Sequence, residues 1–230
     1  DLGQWSGRHW LLWRRTNVRM FVISLGNNCE LKLRAAGTAI LEFGIIHVHI
    51  SSLLHECICS SSSFGFPEGA VVVSVVANAR RMKGVPYLLD AITQLPAESP
   101  ARFLLIGRGL DSAETLKAME QKGISDRIVF AGFRKDVLEL VKACDLSLLP
   151  SVKGEGLSKV LLESLFLGNP TIMTDIGGNR GLAIHGETGL VIPPRDPKAM
   201  ADAIQQLVND ADLRARMGEA GKAYISANYT

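Results

Sequence analysis

Residues 145–164 read DLSLLPSVKGEGLSKVLLES. Leu146–Leu149 is a short, mostly apolar run of strand length, and residues 157–167 have the apolar spacing of a helix. The loop between them holds Pro150, Gly154 and Gly156, which end one element and free the backbone just before the next. A buried strand feeding a helix through a glycine-rich loop is the working half of a βαβ unit.

The same alternation extends in both directions. Upstream, Val71–Val76 is a β-branched run interrupted only by Ser74, as expected for a strand buried on both faces. Helical spacing follows over 84–95, a strand over 102–106, a helix over 112–121, a strand over 128–131 and a helix over 135–144. Downstream come strands at Thr171–Thr174 and Gly189–Ile192, then helices over 197–208 and 211–227. Strands alternating with helices of this length predict a parallel sheet covered on both faces. The expected fold is α/β, a Rossmann-like doubly wound parallel sheet.

Composition excludes several classes. Hydrophobic residues make up 47% of the 230 and charged residues 21%, with a net charge of +2. No strong field points to nucleic acid, and no apolar run reaches the length of a membrane span. Cys29, Cys57, Cys59 and Cys144 form neither a disulfide framework nor a zinc pattern, which suits a reducing, cytoplasmic setting. The character of the chain changes near residue 66. Trp5, Trp10 and Trp13, and His9, His47, His49 and His55, all precede the serine run Ser60–Ser63. After Pro67 acidic and basic residues balance. The chain is therefore read as an atypical N-terminal segment, 1–65, and a domain, 66–230.

Ligands of doubly wound sheets sit beyond the carboxyl ends of the strands, so the strand-to-helix junctions are where chemistry is sought. Residues 78–84, NARRMKG, place Arg80, Arg81, Lys83 and Gly84 between a strand and a helix. Such a helix start attracts anions through free N–H groups and its dipole, and Lys83 with the arginines makes a phosphate clamp; a solvated basic loop fits the same residues. Gly107-Arg108-Gly109 permits close backbone approach to a ligand, or simply a tight turn. In the third junction Glu155 stands on the loop and Glu163 lies eight residues on, among Leu161, Leu162, Leu165 and Phe166. A carboxylate in such surroundings calls for partners, and sugar hydroxyls suit it; a surface glutamate on an amphipathic helix is the plain alternative. The fourth junction, residues 175–180, DIGGNR, is glycine-rich and lies at the same edge.

Read together, "GRG", "IVFAGFRKDV", "DLSLLPS", "EGLSKVLLES", "GNPTIMTDIGG", "HGETGLVIPPRDP" and "RMGEAGKAYI" keep the order and spacing of a known domain. Over residues 66–228 the chain resembles the C-terminal lobe of retaining, two-lobed (GT-B) glycosyltransferases of family 4. Glu155 and Glu163 match that family's E-x7-E motif. The resemblance implies that Lys83 contacts the donor diphosphate and Glu155 the hydroxyls of the transferred sugar, the two acting catalytically. It implies that the backbone of Gly156, Leu157 and Ser158 faces the diphosphate and that Glu163 holds the ribose hydroxyls. The segment 130–133, with Phe133, would hold the base, and Arg80, Gly107 and Gly109 would border the donor. The implied donor is a nucleotide-sugar, a UDP- or GDP-sugar, and the acceptor a sugar or a lipid-linked one. No cofactor and no metal are implied. The one D-x-D, Asp210-Ala211-Asp212, reads as a helix start. The family often has an arginine at the place of Asn78, whose part Arg80 or Arg81 takes here, and a glutamate at the place of Gly181.

That family pairs the domain with an N-terminal lobe of similar size, which residues 1–65 are too few to form. The expectation is a truncated, misjoined or frame-shifted N-terminal stretch, with the second lobe missing as a partner. The alternative is a short membrane-surface anchor built on Trp10, Trp13, Arg14, Arg15 and Arg19, giving peripheral contact at the inner face of the membrane. Three functions stand beside one another: sugar transfer in envelope polysaccharide or glycoconjugate synthesis, a nucleotide-sugar-binding module without catalysis, and a sugar-nucleotide epimerase of the same fold.

Overall fold

A computed structural model of the chain describes residues 64–153, 156–179 and 181–229. The expectations for 1–63, including the anchor and the linker, lie outside the described residues. So does Glu155.

Six strands form one sheet: β1 (Val71–Val76), β2 (Ala101–Ile106), β3 (Ile128–Gly132), β4 (Leu146–Leu149), β5 (Thr171–Thr174) and β6 (Gly189–Ile192). They are parallel and lie in the order β3-β2-β1-β4-β5-β6. Among the described residues the α-helices are α1 (Val85–Ile92), α2 (Ala113–Lys122), α3 (Val137–Lys142), α4 (Lys159–Phe166), α5 (Pro197–Asn209) and α6 (Ala211–Asn228). From β1 the chain works outward to β3, then returns to lay β4 against the other side of β1. The connections on the two sides thus run in opposite senses, which opens a crevice between the carboxyl ends of β1 and β4. The doubly wound expectation is met.

Why the strands read as mainly apolar runs is clear from the packing, and two of the polar exceptions, Ser74 and Ser147, share a hydrogen bond between their hydroxyls at 2.9 Å. Successive side chains point to opposite faces, and both faces are covered. Val73, Val75, Phe103 and Leu105 join Leu88 and Ile92 of α1 and Ile204 and Leu207 of α5 in one core. Val72, Leu104 and Ile106 join Leu140 and Val141 of α3 in another. Leu149, Met173, Leu161, Leu165 and Ile225 form a third, between α4 and α6. Each fully buried Leu, Phe or Ile of this set contributes about 1.5–3 kcal/mol by leaving water.

Helix starts are set by short polar side chains. Ser112 Oγ accepts from Thr115 N, Asp196 Oδ1 from Ala199 N, and Asp210 Oδ1 from Leu213 N. Asp210 is thus a cap, as its sequence position suggests. Asp196 also precedes Pro197, whose fixed φ and missing N–H suit the first helical position. Asp196→Ala is expected to cost about 1 kcal/mol in urea unfolding while the fold survives on the buried face of α5. A loss under about 0.3 kcal/mol would show that the cap is idle.

Helix ends differ modestly from expectation. The helix expected over 157–167 begins at Lys159, because Ser158 is its cap, with Oγ accepting from Leu161 N at 3.4 Å. The one expected from 135 begins at Val137, because Arg134 and Asp136 pair in the preceding turn.

Candidate functional site

The crevice at the β1/β4 switch point is built by two loops held together through backbone. After β1 the chain passes Asn78 to Arg80 into a 3-10 turn, Arg81–Lys83, then Gly84, which starts α1. After β4 it passes Pro150 and Ser151 towards α4. Val152 N donates to Met82 O at 2.7 Å, so the residue next to Lys83 is tied to the loop leading to α4. Gly84 has φ +72, and a Cβ there would lie 1.9 Å from Pro150 O. Only glycine lets the two loops approach this closely.

The electrostatics favour an anion. Neither α1 nor α4 has an acidic residue in its first turn, and the positive end of each helix dipole attracts negative charge, although Ser158 already takes the N–H of Leu161 and Pro86 has none to offer. Gly156 and Leu157 are exposed ahead of α4, with Leu157 61% exposed. Lys83 is half-buried, and Arg80 and Arg81 are exposed beside it. The structure brings Lys83, Arg80 and the Gly156–Ser158 segment to one end of the sheet. Ser158 is buried, and its hydroxyl is spent on the cap.

Glu163 lies one turn into α4 with its side chain 31% exposed, and it pairs with Lys159 at 3.3 Å. Its carboxylate is thus partly shielded but open to a ligand. The pair contributes roughly 0.3–0.5 kcal/mol, because Lys159 is 86% exposed.

Gly107 and Gly109 divide in role. A Cβ on Gly107 would lie 1.6 Å from Ala77 O, and Gly107 N donates to Gly132 O at 2.8 Å. Both the missing side chain and the amide of Gly107 are used by the fold, so the tight-turn reading accounts for it. Gly109 is exposed beside Ala79. Between them Arg108 extends over the ring of Phe133, its guanidinium carbon 4.1 Å from the centroid. Phe133 is 60% exposed. Arg108 was not singled out from the sequence; its signal is a cation flanked by two glycines at the end of a buried strand.

Next to this platform Arg134 donates from Nε to Asp136 Oδ1 at 2.8 Å. That hydrogen bond from Arg134 holds the Asp136 carboxyl below its ordinary range. A lowered folded-state value stabilises the fold above the unfolded Asp value and loses that contribution as pH falls through the folded one. Both side chains are well over a third exposed, so the contribution is at most about 0.5 kcal/mol. Asp136→Asn is accordingly expected to lower stability slightly at pH 7 and not in acid, as read by urea unfolding at both.

Comparison with known proteins agrees with this fold. The profile of the "Glycosyl transferases group 1" family matches residues 60–224. The N-acetyl-alpha-D-glucosaminyl L-malate synthase of Bacillus anthracis is 33% identical over 162 residues, covering 70% of this chain and 42% of that protein. Among solved structures, Anabaena Alr3699/HepE in complex with UDP superposes with a TM-score of 0.67 at 25% identity, over 79% of this chain and 49% of that one. The C-terminal domain of the group 1 protein LpcC from Francisella tularensis superposes with a TM-score of 0.65 at 22% identity, over 74% of this chain and 90% of that domain. The chain thus spans less than half the length of the curated relative and nearly all of the isolated domain.

Proposed function

Because the chain belongs to the group 1 glycosyltransferases, we propose that residues 66–230 are the donor lobe of a retaining, two-lobed family 4 enzyme that transfers a sugar from a nucleotide-sugar. One observation supports this most: the Met82–Val152 hydrogen bond and the Gly84–Pro150 approach set a basic loop against the start of α4 at the switch point.

In this reading the diphosphate lies across that crevice. Lys83, with Arg80 beside it, and the N–H groups ahead of α4 stabilise the negative charge that grows on the leaving diphosphate. Glu163 accepts from the two ribose hydroxyls, and Glu155 from hydroxyls of the transferred sugar. Phe133, steadied by Arg108, offers a flat face to the base. That HepE has been solved with UDP and with UDP-glucose supports a uridine donor. The cationic loop and helix start take the part a metal plays elsewhere. The sugar or lipid-linked acceptor is activated by a second lobe. The setting is cytoplasmic synthesis of envelope polysaccharide or other glycoconjugates, at or near the membrane. Among the described residues no helix is long and apolar enough to cross a membrane.

Calorimetric titration of the full chain with UDP, GDP and ADP tests the reading. Saturable binding of one nucleotide is expected, with UDP favoured. Phe133→Ala is expected to weaken it by about 1 kcal/mol, roughly fivefold, through loss of stacking area. Failure of all three nucleotides to bind the folded chain would refute the donor-lobe assignment. Mass analysis of products then separates transfer from epimerisation, and turnover by the chain alone excludes a module without catalysis.

A further inference from the structure

The ladder between β4 and β5 runs as far as the pair Leu149 and Met173. The next residue, Pro150, has no N–H to carry it on. The chain nevertheless stays inside, for Pro150 and Ser151 are both buried. A backbone carbonyl in that place calls for a donor from beyond the regular ladder.

Thr174, the last residue of β5, supplies one. It is fully buried, and its Oγ1 donates to Ser151 O at 2.5 Å. Leu149 O, at 3.5 Å, is at best a weak second acceptor. One residue on, Val152 N donates to Met82 O at 2.7 Å. Ser151 and Val152 are thus gripped from two sides, by a hydroxyl from β5 and by the carbonyl next to Lys83. The hydroxyl of Thr174, and not its methyl, makes the first grip. Valine would keep the branched shape at 174 and leave the buried carbonyl of Ser151 without that donor.

An anion shared between Lys83 and the start of α4 depends on the spacing of the two loops, and small misplacements of such groups weaken binding strongly. We propose that Thr174 is a positioning residue of the nucleotide site. Its hydroxyl fixes Ser151 and Val152 against the basic loop and so sets the affinity for the diphosphate. Thr174 acts through Ser151 and meets no ligand itself. The inference rests on the donor-lobe reading.

The test is calorimetric titration of UDP into the full chain and its variants, with hydrogen exchange of the Val152 amide read by NMR. Thr174→Val is expected to weaken UDP by about tenfold and to speed exchange at Val152, where the second grip is made. Thr174→Ser keeps the hydroxyl and should return affinity to within about twofold of the parent. Thr188→Val is the control for a purely structural role. Thr188 is as deeply buried, and its Oγ1 accepts from Ile184 N at 2.8 Å, away from the two loops. This variant should lose stability and bind UDP as the parent does. Should Thr174→Val not fold, Thr174→Cys, with a thiol that donates weakly, takes its place and should bind about threefold or more weakly. Unaltered UDP affinity in the folded Thr174 variant, no recovery in Thr174→Ser, or an equal loss in Thr188→Val would overturn the proposal. A parent chain that binds none of UDP, GDP and ADP refutes the donor-lobe reading and takes the proposal with it. A parent that binds UDP no better than Thr174→Val does refutes the proposal alone.

Discussion

Gly84→Ala is expected to lose about 3 kcal/mol of stability in urea unfolding. Two costs add. The residue holds φ +72, where an L side chain is strained, and its new Cβ would sit 1.9 Å from the carbonyl oxygen of Pro150. That neighbour is backbone fixed at the end of β4, so it cannot swing aside as a side chain would. Relief comes only by parting the two loops, which breaks the Val152–Met82 hydrogen bond and moves Lys83 away from α4. Nucleotide binding is expected to fall with stability. Gly156→Ala is the stability control, since a Cβ there meets nothing within 4 Å, and it should change stability by no more than about 0.5 kcal/mol. Equal effects of the two substitutions would show that the crevice is not built by that contact.

The second large effect is on binding itself. Lys83→Ala and Glu163→Ala are each expected to weaken nucleotide by about 1.5–3 kcal/mol, roughly ten- to a hundredfold, the range for hydrogen bonds to charged groups. They should differ in kind. In the proposed site Lys83 meets the diphosphate, so Lys83→Ala should flatten the salt dependence of UDP binding and leave uridine binding nearly unchanged. In the same proposal Glu163 meets the ribose, so Glu163→Ala should weaken UDP and uridine alike. Lys159→Ala removes only the exposed partner at 3.3 Å and should not weaken nucleotide. Both variants binding UDP normally while folded would show that the site residues are misassigned.

Much of this was legible in the sequence, for a physical reason. A strand buried on both faces is built mainly of apolar residues with a few small hydroxyl side chains, so Val71–Val76, Leu146–Leu149, Thr171–Thr174 and Gly189–Ile192 were readable to the residue. Helix ends were less so, because they depend on which side chain caps: Ser158 can continue a helix by composition, yet here its hydroxyl accepts from Leu161 N. At the site, one strand feeding one helix through a basic or glycine-rich loop marked Lys83, Gly156 and Glu163. Gly107 was ambiguous from sequence, because its neighbour Ala77 O comes from a different strand end. The Arg108–Phe133 stack joins residues from β2 and β3 ends that no local pattern relates. The hydrogen bond from Thr174 to Ser151 O was invisible for the same reason, since it joins the ends of two different strands.

Hydrogen exchange of the full chain with and without saturating UDP tests whether the nucleotide lies at the β1/β4 switch point. Slowed exchange is expected at residues 81–84 and 156–162, with a further effect at 130–134. Slowing confined to residues 175–191, or none at all under saturating nucleotide, would contradict that placement.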